Sequence, residues 1–365
     1  MLAERSGAPA MRRIALAAIV GGMALAAARA QPIVADPGQG SVALSSGTTA
    51  AAELSGITHV GGTTYQAVGD NGAATIWTVS ITVDPMTGRI GSAGVTGGIS
   101  APGLGTDSEG IAYRAASGTV FVSDEVASTI NEFSLSTGNL VGSVSVPAIY
   151  ASANVQSNMG LESLAYGAGG LWTANEEALV PDGPLATTTA GSWVRIQRFD
   201  ESLTAVGQWG YRSDPITTLN PFISVERSGV VDILPWTETE LLVLERELGG
   251  PVAPQFRSRL YFVDTTTGSD VTPLATIDAG GFIPLSKSLL WERSFGLSNF
   301  EGMTYGPTLT DGSRSLLLIS DNGGGLNQEL YALSVVPEPS LALLGSAAMA
   351  AVWLVVRRQR LSRLA

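Results

Sequence analysis

The chain has 365 residues, no Cys, a single His (His59), a single Lys (Lys287) and a formal net charge of −12. The lack of Cys excludes a disulfide scaffold, a thiolate nucleophile and Cys-based zinc sites. A single His excludes metal motifs built from several His residues. Nucleic acid is not an expected partner, because binding to a phosphate backbone needs basic stripes and this chain is acidic.

The first 30 residues have the pattern of a signal peptide. Arg12 and Arg13 precede an apolar stretch over residues 14–27, and Ala28-Arg29-Ala30 forms a small-x-small cleavage site. The alternative is a transmembrane anchor, for which the apolar stretch is short. We therefore expect cleavage after Ala30 and export of the remaining chain across the inner membrane.

Residues 336–365 carry a second targeting pattern. Pro337-Glu338-Pro339 is followed by an apolar run from Leu341 to Val356 and by a terminal cluster of Arg residues. This order resembles the PEP-CTERM sorting tail, and the resemblance implies processing by an exosortase and delivery to the cell surface or the extracellular matrix. We expect one transmembrane helix over about residues 340–356 as the only membrane contact, with the arginines on the cytoplasmic side. The alternative is an ordinary C-terminal anchor.

Five segments of the remaining domain, residues 31–335, repeat one pattern. An acidic residue or Ser begins a short apolar strand, a turn follows, and a second apolar strand ends in polar residues. The repeats start at Ser55, Glu109, Glu162, Asp232 and Glu301. Period-two alternation with Gly and Asn at the turns is typical of antiparallel strands, and no segment has a helical period over twelve or more residues. The sequence therefore predicts an all-β propeller.

The spacing of the repeats leaves the propeller with five or six blades. The first two intervals are 54 and 53 residues long, and the next two are 70 and 69. Each long interval holds either a hidden blade or long loops, for which residues 178–191 and 249–256 are candidates. The last repeat is short, so we expect the segment after residue 31 to supply its missing strand and close the ring.

The repeats resemble the phytase-like family that is described as having esterase-like activity. The motifs that carry the resemblance are Leu54-Ser55-Gly56-Ile57, Asp107-Ser108-Glu109-Gly110-Ile111-Ala112, Val122-Ser123-Asp124-Glu125, Gly160-Leu161-Glu162-Ser163-Leu164-Ala165, Leu241-Leu242-Val243-Leu244-Glu245-Arg246 and Asn299-Phe300-Glu301-Gly302-Met303. The chain departs from the family at Asp232, where Glu is usual, and at Ser163, where Gly is usual. The resemblance implies a secreted bacterial propeller that hydrolyses phosphate or carboxyl esters.

Equivalent positions of successive blades reach the same height in a propeller, so the repeats predict rings of polar side chains. We expect the rings Ser55, Glu109, Glu162, Asp232 and Glu301; Asp70, Asp124, Asn175, Glu245 and Asp321; and Asn71, Glu125, Glu176, Arg246 and Asn322. Converging carboxylates repel one another unless a cation or a proton lies between them, and their oxygens suit Ca²⁺ or Mg²⁺. The expected metal ligands are Asp70, Asp124, Glu125, Glu176 and Asp321. Alternatively, these acids accept hydrogen bonds from backbone N–H groups of neighbouring blades and tie the blades together.

Two functions are compatible with these rings. The first is a metal-assisted phosphoester hydrolase acting on a small molecule, with Glu109, Glu162, Glu301 and Arg246 as catalytic residues. Arg246 would bind a phosphate, or would instead pair with its neighbours Glu245 and Glu247. The second is a non-catalytic Ca²⁺-binding propeller of the cell surface that binds a polysaccharide or a protein.

A serine-hydrolase triad is not expected. No Gly-x-Ser-x-Gly elbow exists in the chain, so His59 is expected to be a structural or surface residue. Ser55 is a nucleophile candidate because it is the only Ser in a predicted ring.

Overall fold

The strands of the protein form five antiparallel sheets, seen in a computed structural model that describes residues 31–70, 72–321, 323 and 327–336. Two short strands, β1 (Ile33–Ala35) and β2 (Val42–Ala43), come first. Blade 1 consists of β3 (Leu54–Gly61), β4 (Thr64–Gly69), β5 (Thr75–Val83) and β6 (Ile90–Ser100). Blade 2 consists of β7 (Ser108–Arg114), β8 (Thr119–Asp124), β9 (Thr129–Ser134) and β10 (Leu140–Ser143).

Three further blades follow along the chain. Blade 3 consists of β11 (Leu161–Gly167), β12 (Gly170–Asn175), β13 (Trp193–Phe199) and β14 (Ala205–Arg212). Blade 4 consists of β15 (Arg227–Pro235), β16 (Glu240–Gly249), β17 (Gln255–Asp264) and β18 (Lys287–Gly296). Blade 5 consists of β19 (Asn299–Thr308), β20 (Arg314–Asp321) and β21 (Glu329–Val336), together with β1 and β2. The predicted all-β propeller is confirmed, and it has five blades.

The ring closes as the sequence predicted. Strand β1 pairs antiparallel with β21, placing Ile33 opposite Val336, and β2 pairs with the beginning of the same strand. The closure is reinforced by side chains, because Asp36 on the N-terminal segment accepts hydrogen bonds from the hydroxyl of Tyr331 and from Arg293. The first and last described segments therefore share one sheet.

The two long repeat intervals contain loops and long strands, with no sixth blade in the described chain. Residues 178–191 form a loop between β12 and β13, as predicted, with one 3₁₀ turn at Val180–Asp182. The second candidate loop, residues 249–256, is short: β16 ends at Gly249 and β17 begins at Gln255, so residues 250–254 connect the two strands. The extra length of blade 4 lies in residues 265–286, between β17 and β18.

Regular helix is confined to four 3₁₀ turns of three residues each within the described residues. In that part of the chain no helix is long and apolar enough to cross a membrane. The predicted signal peptide and sorting tail lie outside the described residues, apart from Val336, which ends β21.

Burial falls from the axis outwards and explains the sequence patterns of the strands. In blade 2, every residue of β8 is buried, whereas the outermost strand, β10, is largely exposed. Apolar side chains of neighbouring blades meet between the sheets, as where Leu242 and Leu260 of blade 4 pack in one cluster with Phe300 of blade 5. Strands with both faces covered by other sheets become continuous apolar runs.

The innermost strands, β3, β7, β11, β15 and β19, surround the axis, and each contacts the innermost strand of both neighbouring blades. Their backbones approach closely. A Cβ atom added at Gly302 would lie 2.2 Å from the carbonyl oxygen of Ser55, and one added at Gly56 would lie 2.2 Å from that of Glu109. Glycine is required at these positions because a side chain would push adjacent blades apart.

Replacing Gly302 with Ala is therefore expected to lower the free energy of unfolding by about 1–3 kcal/mol, the typical cost of overpacking. The matched control is Gly97→Ala on the outer strand β6, where a new Cβ atom meets nothing within 4 Å. Chemical denaturation measures both variants. Equal effects of the two substitutions would show that the close approach of the inner strands does not restrict residue 302 to glycine.

Candidate functional site

Each inner strand carries a β-bulge at the same place in the repeat. The pairing with the second strand shifts at Leu54/Gly56, Ser108/Ile111, Leu161/Ser163, Val230/Asp232 and Phe300/Gly302. A bulge leaves an extra residue unpaired and re-aims its side chain. The side chains at these bulges line a narrow cavity on the axis, to which the strands contribute Ser55, Glu109, Glu162, Val231 and Glu301; Asp232, one residue after the bulge of blade 4, also borders it.

The prediction that Asp232 occupies this ring is wrong by one residue, since Val231 is the residue at the bulge of blade 4. Asp232 instead accepts hydrogen bonds from the backbone N–H of Met303 in blade 5, at 2.6 Å, and from that of Ile233, at 2.8 Å. Burial raises the pKa of Asp232, and these N–H donors oppose the rise. Asp232 therefore ties two blades together, which is the alternative that the sequence left open.

The second strands supply a ring of charged side chains above the bulges. The hydrogen-bond register aligns Asp70, Glu125, Glu176, Arg246 and Asp321. In the predicted rings these residues are split between the second and the third ring, because the second strands do not all end at the same height along the axis. Asp124, Asn175 and Glu245 precede it by one residue, and Asp124 accepts a hydrogen bond from the N–H of Ala127. Asn71 and Asn322 lie outside the described residues.

Five carboxylates from the first three blades converge beside the axis, and we call them the acidic cluster: Asp70, Asp107, Glu109, Glu125 and Glu162. One oxygen from each of Asp70, Asp107 and Glu109 lies within 4.8 Å of the others, and the same holds for Glu109, Glu125 and Glu162. The sequence had not placed Asp107 among the ligands. The signal was present, because Asp107 is the first acid of the Asp-x-Glu-Gly motif.

Burial and mutual repulsion raise the pKa values within the acidic cluster. Burial, and then the nearby Asp321, raise the pKa of Asp70 to about 7, and burial and then Glu176 raise that of Glu125 to about 8. The pKa values of Glu109 and Glu162 are raised well above the usual range, mainly by burial. Ionising the acidic cluster is therefore unfavourable unless a positively charged group or ion lies among its carboxylates.

The acidic cluster has the geometry of a site for a hard cation. Oδ1 of Asp70 and Oε2 of Glu125 are buried and have no hydrogen-bond partner in the described chain. Oxygens about 2.3–2.6 Å from a shared Ca²⁺ ion lie no further apart than about 5 Å, which the 4.8 Å limit satisfies. The distances thus fit Ca²⁺, and the oxygen donors, with no soft ligand among them, are of the type that both Ca²⁺ and Mg²⁺ prefer.

Arg246 lies on blade 4 and does not pair with its sequence neighbours. Its Nη2 atom lies 2.7 Å from Oε1 of Glu176 and 2.9 Å from Oε1 of Glu301, which belong to the two adjacent blades. The predicted pairing with Glu245 and Glu247 is wrong: these acids bind Lys287 and Arg259. Arg246 therefore supplies positive charge next to the acidic cluster, between Glu176 and Glu301.

Glu301 has surroundings that differ from those of Glu109 and Glu162. Its Oε1 atom accepts hydrogen bonds from Asn299, at 2.8 Å, and from Arg246. Burial raises its pKa to about 7, and Arg246 limits the rise. A carboxyl group with a pKa near 7 exchanges a proton readily at neutral pH.

The structure brings no Ser–His pair together at this site. Ser55 is buried at the level of the bulges, whereas His59 lies further along β3, where its Nε2 atom is 3.1 Å from the carbonyl oxygen of Gly62. Ser55 stays a candidate nucleophile without a neighbouring base of the kind that a triad uses.

Several solved structures are similar to this chain at low identity. Kuenenia stuttgartiensis hydrazine synthase matches with 10% identity and a TM-score of 0.33, over 80% of this chain but only 64% of that chain, less than two thirds of its length. Myxococcus xanthus glutaminyl cyclase matches with 9% identity and a TM-score of 0.36, over 84% of this chain and 95% of that one. The β-propeller domain of Myceliophteria thermophila Cps50 (Swd1) matches with 10% identity and a TM-score of 0.33, over 81% and 100%. Similarity at this level carries no information about the site.

No curated protein matches the chain in sequence. A family model does match, over residues 49–324, and its description is "Phytase-like: Esterase-like activity of phytase". The matched range covers more than half of the chain and includes all five inner strands, the acidic cluster and Arg246. The chain therefore belongs to the phytase-like family.

Proposed function

We propose that the acidic cluster binds a divalent hard cation, Ca²⁺ or Mg²⁺, and that the protein uses this site to hydrolyse a phosphoester. The observation that carries the proposal is the convergence of five carboxylates from three blades, with two buried oxygens that lack a partner. Family membership supports hydrolysis as the class of activity. The substrate proposed is a small phosphoester.

The residues divide into two roles. When bound, the cation supplies positive charge for phosphate oxygens and makes a nearby water more acidic. Glu109, Glu125 and Glu162 hold the buried side of the site, and the half-buried Asp70 and Asp107 form its more open side. Glu301, with its pKa of about 7, serves as proton acceptor, and Arg246 and Asn299 orient its carboxylate.

A second function is favoured by one specific observation. Arg246 is held by two glutamates and is buried, so it is not free to bind a substrate phosphate. In this alternative the cation stabilises a non-catalytic propeller of the cell surface that binds a polysaccharide or a protein.

Phosphate release separates the two functions. We would assay phytate and p-nitrophenyl phosphate with Ca²⁺, with Mg²⁺ and with chelator, for the wild type and for Glu301→Gln. The hydrolase predicts cation-dependent release that falls by about a hundredfold or more in the variant. Asp84→Asn, which alters an exposed acid on a turn outside the site, is the control. Stabilisation by Ca²⁺ without phosphate release supports the second function. The absence of both stabilisation and phosphate release refutes both functions.

The free energy of unfolding of the cation-free protein is expected to decrease as the pH rises from about 4.5 to about 8, because the acidic cluster then loses its protons. The folded-state pKa of Glu125, about 8, exceeds the usual value of 4.5, so the folded state binds more protons than the unfolded state and stability falls with rising pH. A cation at a hundredfold excess over its Kd would restore about 2.7 kcal/mol, most effectively at the upper end of this range.

Thermal melts with Ca²⁺ and with chelator at about pH 5 and about pH 8 measure this effect. Glu125→Gln is expected to show a smaller dependence on both pH and Ca²⁺, whereas Asp84→Asn behaves like the wild type. A melting temperature that chelator leaves unchanged at both pH values contradicts cation binding by the acidic cluster.

We also propose that the chain is exported and is sorted through residues 336–365. The basic and apolar pattern of residues 12–30 and the Pro-Glu-Pro tail support this proposal. Mass spectrometry of the mature protein is expected to find an N-terminus near Gln31 and no terminal Arg cluster. A mature protein that retains Arg12 and Arg13 in the cytoplasm contradicts it.

A further inference from the structure

We propose that the end of the central channel opposite the acidic cluster binds a small sugar that carries an anionic group. This end has its own repeated side chains. Four residues beyond the bulge position on blades 1, 2, 3 and 5, the hydrogen-bond register aligns His59, Tyr113, Tyr166 and Tyr305. Blade 4 places Pro235 at this level. We call the four residues the aromatic set.

An apolar layer separates the aromatic set from the acidic cluster. It lies two residues beyond the bulge position and includes Ile57, Ile111, Leu164 and Met303, each at most 3% exposed. The two ends of the channel are therefore chemically distinct, and a ligand at one end makes no contact with the carboxylates at the other.

The aromatic set surrounds an open cavity of about 180 Å³. Small-molecule sites typically occupy about 300–1,000 Å³, so this cavity suits only a small ligand, and in such sites a few polar groups orient what binds. The polar groups here include the side chain of Arg314, and no acidic residue of the described chain lines the cavity.

Arg314 provides the argument for an anionic ligand. Its guanidinium lies 3.6 Å from the centre of the Tyr305 ring and is only half-buried. It forms no ion pair with any carboxylate in the part of the chain that the structure describes, whereas the buried Arg195 and Arg259 each bind at least one. A guanidinium presents two parallel N–H groups, which match a carboxylate or a phosphate.

The remaining lining provides the argument for a sugar ring. The aromatic rings of Tyr113 and Tyr166 line the cavity, with Tyr166 stacked against Phe121, and the hydroxyl of Tyr113 has no hydrogen-bond partner among the described residues. The hydroxyls of Thr58 and Thr304 accept hydrogen bonds from backbone N–H groups of the neighbouring blades and so fix the positions of the strands around the cavity. Sugar rings combine apolar C–H faces with hydroxyl edges, and this lining complements both.

A cationic ligand does not fit the same cavity. Aromatic rings also attract quaternary ammonium groups, but Arg314 already covers one face of Tyr305 and would repel a second cation. Tyr166 donates a hydrogen bond to Glu201, and Arg114, 5.5 Å from the same ring, lies 3.8 Å from Glu132. Among the described residues that line the cavity itself, Arg314 carries a positive charge and none is acidic, which favours an anion.

Isothermal titration calorimetry in the presence of chelator tests the proposal independently of the acidic cluster. The probes are D-glucuronate, D-glucose 6-phosphate and D-glucose, so that carboxylate and phosphate are compared on related sugars. The wild type is expected to bind at least one of the charged sugars, and Arg314→Gln is expected to weaken that binding by about tenfold or more. Tyr113→Phe removes only the unpartnered hydroxyl and is expected to weaken it less.

Arg212→Gln is the matched control, because Arg212 stacks on Trp193, at 4.5 Å, outside the cavity. It is expected to bind the charged sugars like the wild type, and the unfolding midpoints of all variants are measured alongside. The proposal is overturned if neither charged sugar binds, if D-glucose binds as tightly as both, or if Arg314→Gln and Arg212→Gln have equal effects.

Discussion

Replacing Arg246 with Met is expected to lower the free energy of unfolding by about 3–5 kcal/mol at neutral pH. The substitution keeps most of the side-chain volume but removes the positive charge that lies between Glu176 and Glu301. Both acids would remain buried beside the acidic cluster, and no other cationic side chain would lie as close to them as Arg246 does. Chemical denaturation at about pH 7 measures the loss.

The same substitution has a predictable dependence on pH. Without Arg246 the pKa of Glu301 rises above its present value of about 7, so protonation relieves the penalty as the pH falls. The loss of stability is therefore expected to be smaller at about pH 5 than at about pH 8. Arg114→Met, which removes a partly exposed pair with Glu132 at 3.8 Å, is the control and should cost less than about 1 kcal/mol. Equal losses in both variants would contradict a special role for Arg246.

Replacing Asp182 with Leu is expected to cost about 3–5 kcal/mol as well. Its two carboxylate oxygens bind Nε and Nη2 of Arg195 at 2.6 and 2.7 Å, and both side chains are fully buried. Asp182 also accepts a hydrogen bond from the N–H of Ile277, so it links the loop after β12 to the segment between β17 and β18. The variant would leave a guanidinium buried without its counter-charge.

The double variant Asp182→Leu/Arg195→Met separates charge burial from packing. It removes both charges, so its loss of stability should be clearly smaller than the sum of the two single losses. Denaturant midpoints of the wild type, both single variants and the double variant complete the cycle. Additive losses would show that the pair acts through packing alone. Asp311→Asn, at an exposed turn, is the control and should be nearly neutral.

Much of the fold followed from local pattern. Period-two alternation and five repeated strand pairs predicted an all-β propeller, and the short last repeat predicted that the segment after residue 31 would close the ring. These features are readable because a strand covered by its neighbours needs apolar residues at regular spacing. The number of blades was not readable, because the length of an interval does not distinguish a long loop from a further sheet.

The sequence by itself determined which residue types reach the axis, and only the tertiary structure decided which of them meet. Glu109 and Glu162 were identified from the repeats, but a bulge of one residue put Val231 in the place expected for Asp232. Side-chain direction alternates along a strand, so one extra residue changes the face that each side chain occupies. Arg246 pairs with acids 70 and 55 residues away, on adjacent blades, because blade packing rather than sequence distance sets which buried charges are close enough to pair.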